Sequence, residues 1–163
     1  MNDHYSVLFL CTGNSARSIM AEAILNQKGG RNFKAYSAGS HPKGKIHPAA
    51  LRQLEEARVP TEGLRSKGWE EFGKSGSLKL DFVFTVCDNA AQEVCPVWPG
   101  QPMTAHWGVP DPAAVSGTPE QITRAFREAF VLLERRISLF LNLPLKSLDS
   151  LAIKKEIDRI GRE

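Results

Sequence analysis

Hydrophobic positions along the chain fall into short dense runs and longer periodic ones, and the two kinds alternate. Residues 6–10 read SVLFL, a run suited to a buried strand of a parallel sheet. Residues 18–27 then carry Ile19, Met20, Ala23 and Ile24 at helical spacing, and Gly29 and Gly30 end that segment. Between them, residues 11–16 include the loop formers Gly13 and Asn14. The first unit is therefore strand, tight loop, helix. A second strand is expected over 33–37, closed by Gly39 and Pro42. A helix follows over 48–58, with Pro48 in its first turn and Pro60 just beyond its end. Residues 63–76 are loop-rich, with one short helix around 69–72. DFVFTVC at 81–87 reads as another apolar strand, and 103–107 as a further one. Ile122, Phe126, Phe130, Leu133 and Ile137 predict one long amphipathic helix over 119–141. Leu148, Leu151, Ile157 and Ile160 predict a terminal helix over 148–160.

Strands alternating with helices imply an α/β fold, a parallel sheet flanked by helices on both faces. The 163 residues show no repeat, low-complexity tract or linker, so one domain spanning 1–163 is expected. Hydrophobic residues at 42% and charged ones at 24% describe a soluble globular chain. The net charge of +3 is too mild for a nucleic-acid binder. It suits a site that takes an anion, or scatter over a solvated surface. The run Val7–Leu10 is too short for a membrane span, and Asn2, Asp3 and His4 are not a basic leader. A cytoplasmic protein with no membrane partner is the expectation. Three cysteines make no disulfide framework. In a reducing compartment they are catalytic, redox-active, metal-binding or simply buried.

The segment Cys11-Thr12-Gly13-Asn14-Ser15-Ala16-Arg17-Ser18 carries the most chemistry. Cys11 closes a buried strand and Arg17 opens a helix. A loop wrapping into a helix start points several backbone N–H groups at one spot, where the helix dipole also favours negative charge. A cysteine held there is expected to have a lowered pKa and to be a thiolate at neutral pH. Arg17 offers a planar fork for two oxygens of a tetrahedral anion. Gly13 allows a close backbone turn, Ser18 can donate to the thiolate, and Asn14 can brace the loop.

Asp111 lies between Pro110 and Pro112, which stiffen its loop. A neutral carboxyl there could protonate a departing oxygen, although Asp before Pro is also a common turn residue. Cys87 ends the strand at 81–86, at the edge where open parallel sheets bind ligands. Cys95 follows eight positions later. With no C-x-x-C, and with His41, His47 and His106 scattered, no metal site is expected. Trp69, Trp98 and Trp107 suit packing roles.

VLFLCTGNSARS, SAGS at 37–40 and the Asp111-Pro112 pair together resemble the low-molecular-weight protein tyrosine phosphatase fold. More specifically, they resemble the thiol-dependent arsenate reductases of that fold. The resemblance runs from Ser6 to about Leu143. It implies Cys11 as nucleophile and Arg17 as oxyanion ligand, helped by Thr12, Gly13, Asn14, Ser15, Ala16 and Ser18. It makes Asp111 the general acid. Tyrosine phosphatases of this fold place an aromatic residue beside the Asp-Pro proline, and a proline after the loop's Arg-Ser. Here Ala113 and Ala114 follow Pro112, and Ile19 follows Ser18.

The reductase resemblance further implies a disulfide relay. Cys11 forms an adduct with arsenate, Cys87 attacks Cys11, and Cys95 attacks Cys87. The 87–95 segment would have to unwind, because eight helical positions span about 12 Å. No bound cofactor is implied. The electrons come from an external thiol, either thioredoxin or glutathione with glutaredoxin, and phosphate is a competing anion. The alternative is a low-molecular-weight protein tyrosine phosphatase with a phosphocysteine at Cys11. Asn14, Glu22 and Ser37 fall where some reductases of this fold bind potassium. The match is incomplete, so no ion is assigned; Glu22 reads as a surface residue or a loop brace.

Overall fold

The computed structural model describes residues 4–73, 78–87 and 101–163. Four strands, β1 (Tyr5–Cys11), β2 (Phe33–Gly39), β3 (Phe82–Thr85) and β4 (Met103–His106), form one sheet in the order β2-β1-β3-β4. All three pairings are parallel. The crossovers contain α1 (Arg17–Gly29), α2 (Pro48–Glu56) and the one-turn α3 (Glu70–Gly73). After β4 come α4 (Pro119–Leu141) and α5 (Ser150–Ile160). The sequence-predicted elements are all present, with strands at 81–87 and 103–107 trimmed by one or more residues at their ends.

β1 is central and buried on both faces, as its unbroken apolar run requires. Because strand side chains alternate, its residues divide between two cores. Val7, Phe9 and Cys11 face a large core with α1, α4 and α5. Leu8 and Leu10 face a smaller one with Ala38, Phe72, Leu80 and Val83. The second face is covered, among the described residues, by α3 and the chain around it rather than by a long helix. An aromatic cluster centres the large core. Trp107 stacks on Phe84 with centroids 3.8 Å apart, and Phe140 meets both edge-on.

Strand parity fixes where chemistry can sit. Cys11, the last residue of β1, pairs in register with Gly39, the last of β2. A Cβ at Gly39 would lie 2.4 Å from the Thr12 carbonyl oxygen, so only glycine lets β2 run alongside the start of the loop. The C-terminal ends of β1, β3 and β4 thus deliver Cys11, Cys87 and the segment leading to Asp111 to one edge of the sheet. No described helix is long and apolar enough to cross a membrane.

Candidate active site

Residues 12–16 turn between β1 and α1, and their carbonyls are tied outward. The carbonyls of Thr12, Gly13 and Ser15 accept from the backbone amides of His41, Lys43 and His47, at 2.9, 3.0 and 2.8 Å. With its oxygens held by that neighbouring segment, the loop keeps its amides for the opposite side.

The start of α1 is unusual in this chain. α2, α4 and α5 each begin with a side chain capping the first turn: His47, Thr118 and Asp149. α1 is preceded by Ala16, which offers no side-chain cap, and has no acidic residue in its first turn. An uncapped helix start leaves donors for an outside acceptor, and its partial positive charge favours an anion. A hollow of about 190 Å³ opens here, lined by Cys11, Thr12, Gly13, Ser15, Ala16, Arg17, His41, Lys43, Asp111 and Ala113.

The sharp turn falls at Asn14 rather than at Gly13. Asn14 has φ of 45°, is fully buried, donates from Nδ2 to Ser18 Oγ (2.8 Å) and accepts at Oδ1 from the Lys67 amide (2.9 Å). Asparagine tolerates this left-handed conformation better than most residues, and its amide is consumed in holding it. Gly13 serves instead as a floor for Lys43, whose Cε would be 3.3 Å from a Cβ there. Ser18 is buried and bonded to Asn14, so its own hydroxyl hydrogen remains to be given to sulfur or to an oxyanion.

Arg17 reaches across the site. Its Nη1 donates to the Val109 carbonyl at 2.8 Å, and its Nη2 lies 3.7 Å from Asp111 Oδ2. Asp111 is half exposed at the mouth, and its Oδ1 caps the turn Pro112–Ala114 by accepting from the Ala113 amide. The carboxyl and guanidinium predicted from sequence therefore do converge on the hollow that contains Cys11.

Cys87 lines an adjoining hollow together with Arg17, Val109 and Asp111. Cys87 is 3% exposed, like Cys11 at 5%, and the two sulfurs are not joined to each other in a disulfide. Cys87 Sγ accepts from the Thr12 amide at 3.3 Å, lies 3.6 Å from Thr12 Oγ1, and is hydrogen-bonded by Cys11. This contact corrects one expectation. The loop position predicts a lowered thiol at Cys11, but the structure pushes that thiol well above its ordinary range. The bond it donates to Cys87 is the main cause and burial the second, while Arg17 and the Thr12 amide pull the other way. Contact with a second buried sulfur makes a charge on Cys11 costly, and the thiol form of Cys11 is favoured. Cys95 lies outside the described residues.

Behind the loop is a group that sequence reading overlooked. Lys67 is 8% exposed, donates from Nζ to the Arg65 carbonyl (2.9 Å) and sits 3.8 Å from Glu22 Oε1. The same carboxylate oxygen accepts from Ser37 Oγ at 2.5 Å. Burial pushes Glu22 up and Lys67 down, each partly offset by the other. Glu22, its side chain 12% exposed, is thus a partly buried brace, and the ammonium beside it is supplied by the chain. Lys67 falls in the loop-rich stretch 63–76, and nothing in the sequence marks it out. No group of three or more His, Cys, Asp or Glu that could hold a metal occurs among the described residues.

Residues 6–156 match the family model for low molecular weight phosphotyrosine protein phosphatases. The chain belongs to that family. Within the low-molecular-weight phosphatase family, it is 35% identical over 134 residues to an arsenate reductase of Halalkalibacterium halodurans, covering 82% of this chain and 93% of that one. It is 38% identical over 116 residues to the arsenate reductase of Bacillus subtilis, covering 71% and 79%. Among solved structures, it is similar to a thioredoxin-dependent arsenate reductase of Corynebacterium glutamicum, with 27% identity, a TM-score of 0.55, and 83% and 63% of the two chains covered.

Proposed function

We propose that this protein reduces arsenate to arsenite, with Cys11 as nucleophile and Cys87 as the second thiol. The observation that carries the reading is the contact between two buried cysteines, Cys11 and Cys87, at the start of the anion loop. A phosphatase needs one sulfur there; a two-electron reduction needs two. The arsenate reductases to which the chain is similar support the choice of anion.

Arsenate enters the hollow on the loop amides and the Arg17 fork. The Cys11 sulfur attacks arsenic as its proton passes, by way of Asp111, to a departing hydroxyl, which leaves as water. The product is a Cys11–arsenic(V) adduct. Cys87 then attacks the Cys11 sulfur. An S–S bond forms, the S–As electron pair goes to arsenic, and arsenic leaves as arsenite carrying the Cys87 proton. Two thiols are oxidised by two electrons and As(V) becomes As(III), so the step balances.

Cys95 would then take over Cys87 and pass the disulfide to an external dithiol. Similarity to the thioredoxin-dependent enzyme favours thioredoxin over glutathione with glutaredoxin. The test is NADPH consumption with arsenate and either thioredoxin plus its reductase or the glutathione–glutaredoxin system. Turnover with one system, abolished in Cys11→Ser and in Cys87→Ser, is the expected result. Turnover that survives Cys87→Ser would eliminate the second-thiol role.

A further inference from the structure

Arg136 lies on α4 and is 5% exposed, an expensive place for a cation. Its Nη1 donates to the Gly108 carbonyl at 2.8 Å, and its Nη2 donates to the backbone carbonyl of Glu163 at 3.2 Å. Its Nε has no hydrogen-bond partner among the described residues. An apolar side chain would fill the space without stranding that donor, so packing alone does not account for an arginine here. Its two bonds join the end of the α5 segment to the chain that leaves β4.

Other contacts fasten the same junction. Trp107 Nε1 donates to the Ile157 carbonyl at 3.0 Å. Gly161 sits so close that a Cβ there would be 2.3 Å from the His106 carbonyl oxygen. The next carbonyl along, Val109, is held by Arg17 at 2.8 Å. Consecutive carbonyls are therefore gripped by two arginines, one from the anion loop and one from the core. Asp111 follows two residues later, and Pro110 and Pro112 leave its backbone little freedom to absorb a shift at Gly108.

We propose that Arg136 is a positioning residue for Asp111, holding the loop through Gly108 so that the carboxyl stays over the Cys11 hollow. This rests on the reading of Asp111 as the proton-handling group. Arg136 touches no substrate and acts only through the loop.

The experiment is a double-mutant cycle on the full chain, read as the single-turnover rate of arsenite formation against arsenate concentration. Arg136→Leu should slow the saturating rate about tenfold while leaving the half-saturating arsenate concentration within about twofold. Arg136→Lys, which keeps a donor and guards against a misfolded Leu variant, should recover part of the loss. In an Asp111→Asn background, Arg136→Leu should cause no further slowing. An equal loss in both backgrounds, or an undiminished rate in Arg136→Leu, overturns the proposal. If Asp111→Asn alone reacts at the full rate, the role given to Asp111 fails and this inference fails with it.

Discussion

The two walls of the site are built in different ways. One wall, Cys11 to Ser18, is a single contiguous stretch whose turn, helix start and arginine are set by local sequence. The other, made of Cys87, Val109 and Asp111, is assembled from the ends of two further strands and meets the first only because β1 lies beside β3 and β3 beside β4. In the proposed reaction the first wall binds charge and the second supplies what changes it. Among the described residues, the contacts joining them include Thr12 to Cys87, Cys11 to Cys87, and Arg17 to Val109 and Asp111.

Breaking the link between the walls should have the largest effect. Arg17→Lys keeps a positive charge but loses the planar fork and the reach to Val109. Arsenite formation at low arsenate should fall by about 100-fold, measured as kcat/KM. A loss under about threefold would mean that the fork neither binds the anion nor joins the walls.

The support behind the binding wall comes next. Lys67→Met leaves Glu22 buried without its cation and should cost on the order of 3 kcal/mol of folding stability at neutral pH. Glu22 already has a raised pKa from burial. The charge penalty therefore vanishes as pH falls and Glu22 takes up a proton, so the deficit of Lys67→Met should shrink in acid. The double variant Glu22→Gln with Lys67→Met should unfold in denaturant close to the parent. If it is as weak as the single variant, the pair is not a compensated unit.

The smallest effect concerns His47, whose amide holds the Ser15 carbonyl and whose Nδ1 caps α2 by accepting from Ala49 at 3.0 Å. Accepting that bond requires a neutral ring. Burial lowers its pKa first, Lys43 and Arg52 add to this, and Asp111 opposes it. With a depressed folded pKa, its stabilising share is complete above the ordinary histidine value of about 6.5 and is lost as pH drops through the folded value. His47→Asn keeps a capping acceptor that does not titrate, so thermal stability should depend less on pH below about 6.5. An unchanged slope would remove His47 from the pH response.

How much of this was readable from the chain follows the same division. The run SVLFL, the glycine-bounded helix and the Cys-to-Arg spacing all act over a few residues, so β1, the loop and α1 were legible. Cys87 at a strand end and Asp111 between prolines were legible as candidates, but not their meeting, which depends on strand order. Asn14 took the turn expected of Gly13 because its side chain could be satisfied at both ends. The Cys11 proton was misplaced for a related reason: sequence shows the helix start that lowers a thiol, but not a second sulfur 76 positions away that raises it. Lys67 and Arg136 left no pattern, since each acts on carbonyls or charges brought near by folding.

The central claim is that Cys11 and Cys87 together supply the two electrons. Reduced Cys95→Ser protein, given one equivalent of arsenate and no external reductant, should release one arsenite per chain, and peptide mass mapping should find a Cys11–Cys87 disulfide. Arsenite released while both thiols stay alkylatable, or no arsenite from a protein that still binds the anion, would contradict it.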